Sequence, residues 1–145
     1  MARRETTYAG RCHCGAIGYR YTVATPPAHW AIRACQCRFC RSHDALSTSD
    51  PTGTIAFEAS SPDQLQRYRF GLNTADFLLC RRCGVYIGAS IDTPKGRFGI
   101  INTRALVDPQ PSMSKSDPIS YDDEDTDGRV SRREERWSPV TVIPE

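Results

Sequence analysis

Cys12-His13-Cys14-Gly15 and Cys80-Arg81-Arg82-Cys83-Gly84 decide the fold, and Cys35-Gln36-Cys37-Arg38-Phe39-Cys40 lies between them. All seven cysteines of the 145-residue chain fall in these three clusters. Thiols one or two residues apart can bind a single metal ion, whereas a disulfide framework does not group its cysteines in this way. Seven cysteines are one short of two complete four-sulfur sites. The sequence therefore predicts one closed metal site and one site with an open position.

Glycines indicate which cysteines form the closed site. Gly15 directly follows Cys14, and Gly84 directly follows Cys83. Glycine allows positive φ at these positions, which turns backbone N–H groups toward the sulfur atoms. We therefore predict a structural tetrahedral site that joins the N-terminal strand to the middle of the chain. Its ligands would be Cys12, Cys14, Cys80 and Cys83. The alternative is that these four residues are buried thiols without a metal.

The remaining cysteines, Cys35, Cys37 and Cys40, lie on a single strand-to-loop segment. Three thiolates on a divalent zinc ion leave a net charge of about −1 and a fourth position for water or substrate. A metal in such a site is a Lewis acid and can hold an incoming thiol as its thiolate. We therefore predict that this is the catalytic site.

Charged and titratable neighbours of the open site are further candidates. His43, three residues after Cys40, is either a fourth ligand that closes the site, a proton carrier in catalysis, or neither. Arg33, Arg38 and Arg41 would lower thiol pKa values and attract an anionic substrate. We name Arg38 and Arg41 as candidates for substrate binding.

Composition limits the class of protein. Hydrophobic residues make up 39% of the chain and charged residues 25%, as in a soluble globular domain. The net charge of +2 is too small to favour nucleic-acid binding. No apolar run approaches the ~20 residues of a membrane span, and the first residues lack the apolar stretch of a secretion signal. An odd number of thiols without an export signal predicts a cytoplasmic protein.

The secondary structure is predicted to be mainly β. Short segments rich in β-branched and aromatic residues are separated by turn signals, which favours an all-β, mainly antiparallel core with no helix between the strands. The predicted strands are 16–23, 30–35, 54–58, 65–70, 76–80, 85–91 and 98–102.

The C-terminal part has a different composition. Residues 108–118 are rich in proline, serine and aspartate and are predicted to be a surface linker. Asp127 is predicted to cap a short helix that runs to about Trp137, with Val130 and Trp137 on one face. This helix is either a lid or partner surface, or a solvated charged helix held by Trp137. We thus expect a metal-binding domain over 1–108, with residues 109–145 packed on it as a linker and tail.

The three cysteine clusters resemble those of the glutathione-dependent formaldehyde-activating enzyme family, whose domain also occurs in centromere protein V-type proteins. The similarity spans roughly residues 8–108 and is carried by Gly10–Ile17, Cys35–Arg41 and Phe77–Gly84, followed by a closing strand near Ile100–Asp108. The resemblance implies a zinc-stapled β-tent fold with two Zn²⁺ ions per chain. It assigns a structural zinc to Cys12, Cys14, Cys80 and Cys83, and a catalytic zinc to Cys35, Cys37 and Cys40.

The resemblance also implies an activity. Members of this family join formaldehyde to the sulfur of glutathione, giving S-hydroxymethylglutathione, a reaction classed in reverse as a carbon–sulfur lyase. The implied partners are glutathione and a small aldehyde. The chain departs from many members at Ser42-His43-Asp44, where they have a Lys-Ser-Gly-like stretch. Two alternatives are a zinc-stabilised binding module and a related enzyme for a larger carbonyl or imine substrate.

Overall fold

The computed structural model describes residues 4–145, and these fold mainly into β-strands. The strands are β1 (Thr6–Arg11), β2 (Ile17–Val23), β3 (Arg33–Cys35), β4 (Ser47–Thr48), β5 (Thr54–Ala59), β6 (Leu65–Tyr68), β7 (Asp76–Cys80), β8 (Tyr86–Thr93), β9 (Gly96–Asn102), β10 (Asp117–Ile119) and β11 (Ser138–Val142). The α-helices are α1 (Arg38–Ser42) and α2 (Thr126–Arg136).

The strands form one continuous sheet with two arms. The first arm has the strand order β1-β2-β5. Strand β11 pairs with β5 and with β9 and so joins this arm to the second, whose order is β9-β4-β3-β10. Strands β8, β7 and β6 extend from the other edge of β9. Only β11 with β5 and β10 with β3 pair in parallel. The predicted all-β, mainly antiparallel class with a short C-terminal helix is confirmed.

Each of the seven predicted strands overlaps an observed strand, but the prediction missed four others and helix α1. The missed strands are β1, β4, β10 and β11. Strand β11 contains Pro139 and pairs with each neighbour over only two residues, so its sequence carries little strand signal of its own. Nevertheless it joins the two arms of the sheet. Strand β10 overlaps the predicted linker and pairs with β3, which ends at Cys35.

Helix α2 begins earlier than predicted. Its N-cap is Asp125, whose carboxylate accepts a hydrogen bond from the Gly128 N–H at 2.7 Å, so Asp127 is not the cap. Val130 and Trp137 both pack against the hydrophobic cluster that contains Cys40 and Phe77. Trp137 therefore holds the helix as expected, but the side of α2 that carries Arg133 is buried rather than solvated.

No helix among residues 4–145 combines the length and the apolar character that crossing a membrane requires.

Candidate active site

The first group of cysteines connects two hairpin turns. Cys12 and Cys14 lie between β1 and β2, and Cys80 and Cys83 lie at the end of β7 and in the turn before β8. Their four sulfur atoms lie within 4.8 Å of one another. The Sγ–Sγ distances are 3.7 Å from Cys12 to Cys14 and 3.5 Å from Cys14 to Cys80. Tetrahedral zinc–thiolate sites have sulfur atoms about 3.8 Å apart, so this group can hold a metal ion.

The glycines after this group behave as predicted. Gly15 has φ of +82° and Gly84 has φ of +81°. Each follows a tight turn, and backbone N–H groups point at the sulfur atoms: Ile17 donates to Cys12 Sγ and Cys83 donates to Cys80 Sγ, both at 3.3 Å. Such N–H donors stabilise thiolates, as a metal site requires.

The second group consists of Cys35, Cys37 and Cys40, whose sulfur atoms also lie within 4.8 Å of one another. Cys35 ends β3, Cys37 is the N-cap of α1, and Cys40 is buried in that helix. The Cys37 sulfur accepts a hydrogen bond from the Cys40 N–H at 3.4 Å. Hydrogen bonds from the thiols of Cys35 and Cys40 lower the pKa of Cys37, while the pKa values of Cys35 and Cys40 are raised in turn. The group thus favours a thiolate and can hold a cation.

The two groups differ in their surroundings. A cavity of about 300 Å³ has Cys35, Cys37 and Cys40 in its wall. None of the other four cysteines lines this cavity. The three-cysteine group therefore lies where a small molecule can reach it.

The cavity combines an apolar surface with positive charge. Its apolar lining includes Phe39, Phe70, Phe77, Ile100 and Trp137. Five arginines line it as well, namely Arg33, Arg38, Arg129, Arg132 and Arg133. Asp122 is the single acidic side chain among its lining residues. Arginines therefore outnumber acidic side chains in the lining, which suits an anionic ligand.

Sequence reasoning missed the contribution of the C-terminal tail to this cavity. Arg129, Arg132 and Arg133 lie on the inner face of α2, and Tyr121 precedes the helix. Glu124 accepts hydrogen bonds from Arg129 Nε at 3.3 Å and from Arg132 Nε at 2.7 Å. The Arg132 guanidinium also lies 3.6 Å from the centroid of the Tyr121 ring. These contacts fix the cationic wall. The position of α2 beside the cavity results from tertiary packing, which the sequence of the helix does not indicate.

Tyr86 is a second residue that sequence reasoning missed. It packs in the same hydrophobic cluster as Cys40, and its hydroxyl is buried without a hydrogen-bond partner among the described residues. Burial, followed by the charges of the three nearby thiols, raises the pKa of Tyr86 well above 10. Its hydroxyl therefore remains protonated and can donate. A tyrosine at the start of a predicted strand gave no signal of this role.

The predicted neighbours of the open site separate into two pairs. Arg33 and Arg38 line the cavity, whereas Arg41 and His43 are not among its lining residues. The His43 ring packs 4.6 Å from the centroid of Phe39 and 5.6 Å from that of Tyr86. Within the described chain, His43 belongs to neither group of clustered ligand atoms.

Comparison with known proteins agrees with this geometry. Residues 7–119 match the family model of the glutathione-dependent formaldehyde-activating enzyme. The chain belongs to this family. A crystal structure of a Rhodobacter sphaeroides protein is similar to the chain, with a TM-score of 0.54 and 26% identity over 71% of this chain and 91% of that one. No curated protein matches the chain. The match to the formaldehyde-activating family ends before α2, so the arginines of that helix lie outside the matched region.

Proposed function

We propose that the chain is a zinc-dependent carbon–sulfur lyase that handles thiol adducts of small aldehydes, with S-hydroxymethylglutathione as the reference compound. Family membership supports the class of reaction. The single observation that carries the proposal is the position of Cys35, Cys37 and Cys40 in the wall of the cavity, while the four-cysteine group lies apart from it.

In this proposal the two groups have different roles. Cys12, Cys14, Cys80 and Cys83 hold a structural zinc ion, and Cys35, Cys37 and Cys40 hold a catalytic one. Thiolates select zinc over hard cations such as Mg²⁺ and Ca²⁺. Bound at the three-cysteine site, zinc would supply Lewis acidity and hold an incoming thiol as its thiolate.

The reaction then requires that the thiolate and the aldehyde are held close together and that one proton is supplied to the carbonyl oxygen. The thiolate sulfur forms a bond to the aldehyde carbon, the π electrons of the carbonyl move to its oxygen, and that oxygen takes a proton. The reverse reaction breaks the same carbon–sulfur bond. Arg33 and Arg38 add positive charge to the cavity, which favours both the thiolate and a substrate carboxylate. Tyr86 and His43 are the candidate proton donors near the thiols.

The experiment is exchange NMR between glutathione and S-hydroxymethylglutathione in the presence of formaldehyde and zinc-loaded protein. Thiols add to formaldehyde spontaneously, so the rate is compared with the same mixture without protein. We expect an exchange rate that increases linearly with protein concentration. A rate equal to the uncatalysed one, with formaldehyde and with larger aldehydes alike, would leave the zinc-stabilised binding module as the better proposal.

Arg38 gives a test of substrate binding. The Arg38→Ala variant should weaken glutathione binding by about 1–3 kcal/mol, the range for a charge-assisted hydrogen bond. Arg41→Ala should have a smaller effect, because Arg41 is exposed and outside the cavity lining. Titration calorimetry of both variants measures the difference. An equal loss of glutathione affinity in the two variants would mean that the positive charges of α1 act on the substrate at long range rather than through a direct contact.

His43 gives a test of the fourth position. The His43→Ala variant should retain both equivalents of zinc, because His43 belongs to neither cluster of ligand atoms. If His43 carries the proton, the rate should fall by about 10²–10⁴-fold. Metal analysis and exchange NMR on one preparation separate the two effects. Loss of one zinc equivalent would make His43 a ligand and the site closed.

A further inference from the structure

Three arginines of the cavity have no acidic partner among the described residues, namely Arg33, Arg38 and Arg133, and of these Arg38 is exposed whereas Arg33 and Arg133 are not. Among residues 4–145, no carboxylate lies within 4.0 Å of the guanidinium nitrogens of Arg33 or Arg133, although eight other arginines form ion pairs. Arg133 is only 7% exposed. A buried charge without a counter-charge costs several kcal/mol, so such a residue is rarely retained without a compensating group.

Arg133 also retains unused hydrogen-bonding capacity. Its Nη1 donates to Thr74 Oγ1 at 2.6 Å, but its buried Nε has no partner in the described part of the chain. Its guanidinium carbon lies 4.7 Å from the centroid of the Trp137 ring, which orients the group. Burial, together with the charges of Arg132 and Arg129, lowers the pKa of Arg133 to about 10, so it remains a cation at neutral pH.

Arg33, which lies about 100 residues before Arg133 in the chain, has a similar environment. It begins β3, at the opposite end of that strand from Cys35, and its Nη2 donates to Ser49 Oγ at 2.6 Å. A neutral hydroxyl does not balance its charge. Arg33 and Arg133 line the same cavity as the three cysteines. A planar carboxylate matches the geometry of a guanidinium group better than any other common organic anion.

The apolar lining restricts what can carry that carboxylate. Phe77, Ile100 and Trp137 are almost fully buried, and the Phe39 and Phe70 rings stack at 4.9 Å between their centroids. Formaldehyde would leave most of the cavity of about 300 Å³ to water. The aromatic walls offer few hydrogen-bond partners, so burying unpaired polar groups against them is unfavourable. An aromatic ring or a branched alkyl group does match these walls.

We propose that Arg133 and Arg33 form a subsite for an organic carboxylate on an apolar body, so that the carbonyl substrate is a carboxylate-bearing aldehyde larger than formaldehyde. The identification of the ligand as an aldehyde substrate rests on the proposed function, whereas the binding of a carboxylate does not. The wall that carries Arg133 and Trp137 lies outside the family match, which ends at residue 119. The tail thus supplies one of the two arginines of the subsite, and Arg33 in β3 supplies the other from within the matched region.

Titration calorimetry on the zinc-loaded wild-type protein tests the subsite without requiring turnover. The probes are 4-formylbenzoate, its methyl ester and benzoate. We expect 4-formylbenzoate to bind about 10–100-fold more tightly than the ester, the ratio expected for a charge-assisted hydrogen bond. Benzoate should compete with 4-formylbenzoate. Equal affinity for acid and ester, or no binding of benzoate, would overturn the proposal.

Variants locate the effect on the arginines. Arg133→Gln should lose most of the preference for the acid, while Arg136→Gln, an exposed arginine on the same helix outside the cavity lining, should keep it. If Arg133→Gln does not fold, Arg33→Gln gives the same test at the less buried arginine. A full preference for the acid in a folded Arg133→Gln or Arg33→Gln protein would remove that arginine from the subsite.

Two further outcomes separate this inference from the proposed function. Binding of benzoate without any catalysed exchange of thiol adducts would support the subsite and reject the lyase. Catalysed exchange with glutathione and formaldehyde, but no binding of benzoate, would reject the subsite alone. Displacement of benzoate by glutathione in the absence of aldehyde would assign the carboxylate to the thiol and overturn the assignment to the aldehyde.

Discussion

The Cys83→Ser variant should fail to fold. Metal binding contributes on the order of 10 kcal/mol to small zinc domains, which is comparable with the whole stability of a typical domain. Cys83 lies in the turn after β7. The four-cysteine group joins that turn to the β1–β2 hairpin near the N-terminus. Loss of one thiolate weakens a cross-link between two parts of the sheet that are distant in the chain.

The measurement is circular dichroism and metal content of the purified variant, with Arg82→Ser as its control. Arg82 is exposed in the same turn and is not in the group of ligand atoms, so its replacement should leave the fold and metal content unchanged. A folded Cys83→Ser protein with the stability of the wild type would mean that the four-cysteine group does not hold the fold together.

The Cys37→Ser variant should fold and lose its activity. Its group is local: Cys35, Cys37 and Cys40 lie within six residues, so a metal there closes only a short loop. The surrounding segment keeps its own contacts, including the parallel pairing of β3 with β10 and the hydrogen bond from Gln36 N–H to the Ile119 carbonyl at 2.9 Å. The exchange rate should therefore fall to that of the uncatalysed reaction while the circular dichroism spectrum is retained.

Gln36→Ala is the matched control for Cys37→Ser. Gln36 is exposed between two of the cysteines, and among residues 4–145 its side chain donates only to the Ala34 carbonyl, at 2.7 Å. Its replacement should keep both the metal and the exchange rate. A Cys37→Ser protein that unfolds as completely as Cys83→Ser would contradict the division into a catalytic and a structural group.

The two cysteine groups could be predicted from the sequence because the spacing within each short cluster is local, and the glycines after Cys14 and Cys83 indicated which distant clusters belong together. Cys12 and Cys14, like Cys80 and Cys83, lie within one turn of chain, and Gly15 and Gly84 mark the positive φ that such turns need. The strands of the central sheet were likewise predictable from their β-branched and aromatic residues. These signals depend on neighbours in sequence, so a single chain is enough to recognise them.

The walls of the cavity depend on tertiary packing and could not be predicted in this way. Helix α2 has the composition of a solvated helix, but the docking of β10 against β3 and of β11 between β5 and β9 turns its arginines toward the cysteines. Arg133 in a polar segment gave no sign that it would be 7% exposed. An anionic substrate was predicted from Arg33, Arg38 and Arg41, whereas α2 contributes three of the five arginines that line the cavity.

The most direct test of the account is stepwise metal removal from the wild-type protein, followed by native mass spectrometry for metal count and circular dichroism for fold. The account predicts two zinc ions per chain. A mild chelator should remove one of them and abolish catalysed exchange with the β-sheet spectrum intact, because the three-cysteine site has an exchangeable position and the four-cysteine site does not. Release of both metals together with unfolding, or a single metal in the untreated protein, would contradict it.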